Sequence, residues 1–204
     1  MAIFNWPTAT WAKPGSYMWR VIDNLQRASE SPLSGAIQTL AMPGARWGLS
    51  LHFAHQPLAD RDQLEGFLLS LYGRENRVRM YDFNRPRPRG TINLTGVTTS
   101  GSTAQFARQM TLQGCGAGKT LLSGDWFATP TQLLRCTEDA TADGAGQMVV
   151  KFAQMLRAAT AGGAAITLDK PTALYVRTEA GLAAPRSPAM AALPMDVEFV
   201  EVFS

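Results

Sequence analysis

The chain has 204 residues, nearly half of them apolar and 17% charged, with a formal net charge of +3. That is enough apolar material to bury one large core or two small ones, and the positive surplus is too mild to mark a nucleic-acid partner. The opening Met1-Ala2-Ile3-Phe4-Asn5-Trp6-Pro7 lacks a basic start followed by an apolar run, and no stretch approaches the length of a membrane span. Neither secretion nor a membrane partner is therefore expected. The positive excess sits in residues 1–90 while the C-terminal end is slightly acidic, an asymmetry that suits self-association.

Residues 1–30 begin rich in tryptophan and proline; Trp6, Trp11 and Trp19 match no helical spacing, and Val21 to Arg27 reads as a strand or an arm. Ser31-Pro32-Leu33-Ser34-Gly35 is turn chemistry. Ala36 to Leu40 then reads as a short strand running through Pro43-Gly44 into the next one, most simply as a hairpin. Arg46 to Phe53 alternates, with Trp47, Leu49, Leu51 and Phe53 on one face, which is the period of a half-buried strand. After Pro57, Asp60 is an N-cap candidate with Gln63 three residues on, and Leu64, Phe67, Leu68 and Leu71 recur at helical spacing up to Gly73. Val78 to Phe83 is extended again.

Arg85-Pro86-Arg87-Pro88-Arg89-Gly90 holds the backbone extended and closes this region as a solvated linker or subunit contact. From Thr91 to about Lys170 the composition shifts to Gly, Ala and Thr, and short strands follow one another. Those expected are 91–98, 103–112, 125–129, 132–137, 147–152 and 164–168, divided by Ser100-Gly101-Ser102, Asp143-Gly144-Ala145-Gly146 and Ala161-Gly162-Gly163. Ala173 to Arg177 returns as a strand, Leu182 to Pro194 is a long Ala/Pro-rich loop, and Met195 to Phe203 is a strong closing strand that should pair with the first region. The expected fold is mainly β with one principal helix (α+β): a β-sandwich or split-barrel core from 1–90 and 171–204, with a small β-barrel domain, 91–170, inserted.

No chemical motif survives inspection, so no catalytic, cofactor-binding or metal-binding residue is assigned. Gln113-Gly114-Cys115-Gly116-Ala117-Gly118-Lys119-Thr120 ends like a phosphate-binding loop, but Gln113 stands where the first glycine belongs. Leu121-Leu122-Ser123-Gly124-Asp125 also breaks before any helix could face a phosphate, so the segment reads as a turn between strands. His52 and His55 are the only histidines, with no acid beside them in sequence, and read as surface or interface residues. Glu138, Asp139 and Asp143 do not follow a calcium-loop spacing. Trp126, Phe127 and Phe152 would serve either as core or as a sugar platform. Cys115 and Cys136 read as reduced thiols of a cytoplasmic product.

The order of these pieces resembles a known family. Ser31 to Leu40, Pro43-Gly44-Ala45-Arg46-Trp47, Phe67-Leu68-Leu69-Ser70-Leu71-Tyr72-Gly73-Arg74 and the Pro/Arg run ending at Arg89-Gly90 come first. Leu122-Ser123-Gly124-Asp125-Trp126-Phe127, a strand ending near Cys136, Asp143-Gly144-Ala145-Gly146, Leu156-Arg157 and Lys170-Pro171 complete it. Together they are similar to the distal tail proteins of siphophages and of prophages in proteobacteria. The resemblance spans most of the chain, least over 1–25 and 178–194. It implies a structural virion protein with no enzymatic activity, assembled in the bacterial cytoplasm and located at the tail tip. It also implies a homo-oligomeric ring, commonly a hexamer, joining the tail tube protein to the tail-tip hub and fibre proteins. The family's outer domain is appended where this one is inserted, so that domain's role does not carry over. Extended arms for neighbours are expected at Trp6–Trp19 and Leu182–Pro194. The rival expectation is a host-surface carbohydrate-binding module using Trp126 or Phe127.

Overall fold

The structure is a computed structural model that describes residues 1–22, 27–40, 44–187 and 192–203. In chain order it begins with β1 (Ile3–Asn5), a single 3-10 turn (Thr10–Ala12), β2 (Ser16–Ile22), β3 (Arg27–Glu30) and β4 (Ile37–Leu40). Next come β5 (Arg46–Phe53), α1 (Leu58–Ser70) and β6 (Arg77–Met80). Short strands follow as β7 (Thr98–Thr99), β8 (Gln109–Gln113), β9 (Thr120–Leu121), β10 (Trp126–Ala128), β11 (Leu133–Arg135), β12 (Ala140–Thr141) and β13 (Met148–Lys151). The chain closes with β14 (Ala173–Arg177) and β15 (Met195–Glu201). The fold is mainly β with one α-helix.

The chain divides into two compact units, one made of 1–22, 46–80 and 174–204, the other of 23–45 and 81–173. In the first unit six strands form one mixed sheet in the order β1-β6-β14-β15-β5-β2, with β1 parallel to β6. The closing strand β15 lies between β14 and β5 and pairs with both, as its alternation predicts. On β5 the apolar set Trp47, Leu49, Leu51 and Phe53 is almost wholly buried. The registers Trp19↔Leu49 and Leu49↔Phe199 carry the same face across three strands. The helix contributes Leu64, Leu68 and Leu71, all buried. Trp6 wedges between helix and sheet, 6.4 Å from the ring of Phe53, 5.9 Å from Phe199 and 5.4 Å from Phe67. Full burial of each such side chain stabilises the fold by roughly 1.5–3 kcal/mol.

Several local expectations change. The helix starts earlier than the Asp60 cap: Pro57 is the N-cap, makes no side-chain capping bond, and leaves Asp60 inside the first turn. There its charge still suits the positive end of the helix. At the other end Tyr72 (φ 47°) and Gly73 (φ 65°) are both left-handed, so the stop is a two-residue reversal. The strand at Ile37–Leu40 pairs with Arg27–Glu30 and not with the Trp47 strand; the hairpin turns around Ser31–Ala36, where Ser31 N–H donates to Ala36 O. Parts of the Val21–Arg27 and Ala36–Trp47 expectations, residues 23–26 and 41–43, lie outside the described residues. The Trp6–Trp19 stretch is built into its own sheet and helix rather than extended as an arm.

The second unit holds the hairpin β3–β4 and three further small sheets, β10-β11, β12-β9 and β13-β8-β7. Its core gathers Leu112, Leu121, Phe127, Leu134, Val150 and Phe152, all buried. The expected strands at 91–98 and 103–112 shrink to their C-terminal ends, and 164–168 makes only isolated bridges, Thr98↔Ala165 and Ala128↔Thr167. Gly96 (φ 76°) interrupts the first window short of Thr98, and Phe106 (φ 71°) interrupts the second ahead of Gln109. The Pro/Arg segment belongs to this unit and is fastened to it at several points, while Arg85, Arg87 and Arg89 stay exposed to solvent. Arg87 pairs with Asp169 at 3.0 Å, Lys170 N–H donates to Pro86 O at 2.6 Å, and Asp82 accepts from Trp126 Nε1 at 3.0 Å.

Candidate assembly interface

The glycine-rich loop settles first. Gly114, Gly116 and Gly118 all take positive φ, and Lys119 runs straight into β9 rather than opening a helix. Its Nζ donates to Asn93 Oδ1 at 2.7 Å, so the lysine charge is tied down inside the turn. Asp143 Oδ1 accepts from the amides of Ala145 and Gln147, closing its turn on itself. Lys151 pairs with Glu138, and Asp139 accepts from Ser123 N–H. Among the described residues no group of three or more His, Cys, Asp or Glu side chains is arranged to hold a metal ion.

Trp126, Phe127 and Phe152 are core. Phe127 and Phe152 pack edge to face at 6.0 Å, and Trp126, 3% exposed, lies under the Arg135 guanidinium at 5.1 Å. None of the three presents an open ring face for a sugar.

Both cysteines are buried and free. Burial pushes the Cys115 thiol up to about 11 and the Cys136 thiol up to about 12, with the Asp125 charge adding to the latter. A thiol whose folded pKa is raised loses stability as pH climbs past its unfolded value, because the unfolded chain then ionises first. Native protein is therefore expected to resist iodoacetamide at pH 8. Between about pH 9 and pH 11 its stability should fall more steeply than that of a Cys115→Ala/Cys136→Ala variant, by roughly 1 kcal/mol per pH unit per thiol. Equal slopes in paired denaturation series would show that the thiols do not ionise in this way.

His52 has an acidic neighbour across the sheet, where the sequence places none beside it along the chain. His52 Nδ1 lies 2.7 Å from Asp196 Oδ1, its register partner on the neighbouring strand. His55 Nδ1 lies 3.0 Å from Ala192 O. On the same polar face Arg20 pairs with Glu198 at 3.0 Å, and Ser50 Oγ donates to Glu198 Oε1 at 3.3 Å. Arg20 crosses over Gly48, where a Cβ would fall 2.8 Å from its side chain, so the glycine is the slot that lets the arginine reach β15. This face carries one exposed ion pair, Arg20–Glu198, worth a fraction of a kcal/mol, beside the hydrogen bonds of His52 and Ser50.

The features with most potential for contact are the two ends of the six-stranded sheet. β1 and β2 are its outermost strands, and each leaves apolar side chains in solvent: Ile3 on β1, Met18 (57% exposed) and Val21 (48%) on β2. An outer strand with one unpaired row of backbone amides and carbonyls is a template for another strand. The β3–β4 hairpin adds Leu33, 98% exposed at its turn, and Ile37. The long loop behaves differently: Arg186 is held by Asp62 at 2.8 Å and Glu65 at 2.7 Å, and Arg61 donates to Leu193 O at 2.9 Å. Its flanks are thus bound to α1, while residues 188–191 lie outside the described residues.

Sequence patterning pointed to the sheet but gave no means to find its outermost strands, since strand order depends on pairings distant in sequence. No helix among the described residues is long and apolar enough to cross a membrane. No protein-family model matches the chain, and no curated protein matches it.

Proposed function

We propose that this chain is a structural virion protein of a long non-contractile phage tail, a distal-tail adaptor whose copies close into a ring at the tail tip. The observation that carries the reading is the six-stranded sheet whose outer strands among the described residues, β1 and β2, each pair on one side only and carry exposed apolar side chains. Two different edges on one subunit permit head-to-tail contact, and a head-to-tail contact that closes by rotation makes a ring. Pairing of β1 of one copy with β2 of the next would extend the sheet through main-chain hydrogen bonds. The exposed hairpin residues Leu33 and Ile37 supply a further apolar contact to a neighbour. The polar side chains weighed as catalytic candidates are occupied by ion pairs and turns, which fits contact better than chemistry. The resemblance to distal tail proteins supplies the rest of the proposal: six copies, with the tail tube on one side and the hub and fibre proteins on the other.

Light scattering of the purified full-length protein tests this directly. The expected result is a closed oligomer. Val21→Lys or Ile3→Lys, which set a charge on an edge strand, should shift it to monomer without lowering the melting temperature by more than a few degrees. A protein that stays monomeric at high concentration, with no density at the tail tip in images of virions, would sink the proposal. A glycan array with the same protein separates the rival reading, since a ring scaffold should bind no saccharide.

A further inference from the structure

Resting on the ring reading above, we propose that Tyr72 anchors the contact between copies, seated against Val21 on the outer strand β2 of a second copy of this chain. Tyr72 follows Leu71, the C-cap of α1, with φ 47°. That left-handed backbone is one an aromatic residue rarely takes and glycine or asparagine takes readily. The side chain is 71% exposed, and among the described residues it makes no ring contact and no hydrogen bond. Within one subunit the tyrosine therefore strains the backbone without a compensating contact. Leu69, three residues earlier on the helix surface, is 59% exposed beside it. A strained position of this kind points to a use for the side chain outside the subunit.

The turn that holds Tyr72 is tied to the outer strand β1. Asn76 Oδ1 accepts from Ala2 N–H at 2.7 Å, and Arg77 N–H donates to Ala2 O at 3.0 Å. Phe4 on β1 meets Phe67 on α1 edge to face at 6.4 Å, so Tyr72 stands on the helix side of that edge. At the opposite edge Val21 shares this side: it pairs with Trp47 as Trp19 pairs with Leu49, both partners belonging to the buried set. The two residues also stand at the same end of the strands. Ile3 pairs with Arg77, and Arg77 Nη1 donates to Phe203 O at 3.3 Å. The Arg46 guanidinium lies over the Phe203 ring at 5.4 Å, and Arg46 pairs with Ile22. That row crosses the sheet from β1 to β2. A level pairing of β1 with the next copy's β2 therefore sets Tyr72 beside Val21. β1 is three residues long against seven for β2. A specific interface takes about 800 Å² from each partner, so strand pairing alone is too small and needs side chains beyond it.

Two measurements on the full-length protein test the contact. Wild type, Tyr72→Gly, Tyr72→Asn and Tyr72→Phe are compared by sedimentation velocity across a concentration series, and melted at a dilution where wild type is dissociated. Glycine and asparagine relieve the backbone, so neither variant should melt more than about 3 °C below wild type. Each should nevertheless need a concentration about tenfold higher to assemble. Tyr72→Phe keeps the ring and should assemble within about threefold of wild type. In the second measurement Tyr72→Cys protein is mixed with Val21→Cys protein and treated with a short bismaleimide at neutral pH, where both native thiols are buried. A cross-linked pair should form in the mixture and from neither variant alone, since a head-to-tail contact never joins one residue to its own copy. A wild type that stays monomeric would overturn the ring and this contact together. If wild type assembles, three results would overturn this contact alone: unchanged assembly of Tyr72→Gly and Tyr72→Asn, a larger loss of melting temperature in both, or no cross-link in the mixture.

Discussion

Asp125→Ala is expected to destabilise the second unit by about 3–5 kcal/mol, among the largest effects of any single side chain in the molecule. The carboxylate is buried and works as a staple. Oδ1 accepts from Arg89 N–H at 3.0 Å, and Oδ2 from Gly90 N–H at 3.1 Å and Leu122 N–H at 2.9 Å. Removing it leaves three part-buried backbone donors without their acceptor, and each such orphan costs about 1–3 kcal/mol. The neighbourhood cannot relax easily, because Gly90 is packed so close that a Cβ on it would fall on the carbonyl oxygen of Thr120. Asp125→Asn keeps the shape but turns an amide donor toward one pair of these donors, and should still lose about 2–3 kcal/mol. It also removes the charge that helps raise the Cys136 thiol, so that thiol should titrate lower in the variant, though burial keeps it above its ordinary value. Hydrogen exchange on the full-length chain provides the measurement: amides of residues 89–92 and 120–137 should lose protection in both variants while those of β5 and α1 keep theirs. Unchanged protection at Gly90 and Leu122 in Asp125→Ala would show that the staple is incidental.

That staple also marks where sequence reading stops. Leu122-Ser123-Gly124-Asp125 is legible as a turn, because serine, glycine and aspartate each favour one for a local reason. That Asp125 spans back to Arg89 and Gly90 is set by tertiary contact, and nothing in either segment announces the other. The same division runs through the fold. Strand Arg46–Phe53 keeps its expected bounds, since its alternation is dictated by one buried face. Strands β10, β11 and β13 lie inside their expected windows for the same reason. The pairing of Ile37–Leu40 with Arg27–Glu30 is not legible in either segment, because a strand's neighbour is not a local property. His52 meeting Asp196 is another cross-strand fact, invisible until register is known. For the assembly interface, the apolar residues Ile3, Met18 and Val21 were in plain view, but only strand order makes them the outer edges of a sheet.

The helix shows most sharply how an apolar pattern can mislead, and it carries the second large effect. Leu64, Leu68 and Leu71 predict its buried face, yet the residue one turn before Leu64, Arg61, is also wholly buried. Desolvation holds its guanidinium below the ordinary arginine range, with Glu65 opposing that effect and Arg186 adding to it. Its Nη2 donates to Ala54 O at 3.3 Å and to Leu193 O at 2.9 Å, joining the end of β5 to the start of β15, while Nε and Nη1 find no partner among the described residues. Two consequences follow from that asymmetry. Arg61→Ala removes the tie and leaves a void the size of a long side chain, so the first unit should lose about 3–5 kcal/mol. Arg61→Met fills most of the void and removes two unsatisfied donors along with the two bonds, so its loss should stay below about 2 kcal/mol. Chemical denaturation followed by tryptophan fluorescence, which reports Trp6 against Phe53 and Phe199, distinguishes the two. Limited trypsin digestion at Arg186 adds a second readout: both variants free Leu193, so both should be cut faster there than wild type. If Arg61→Met proves as damaging as Arg61→Ala, the buried charge itself is what the helix and the β15 approach require, and packing is secondary.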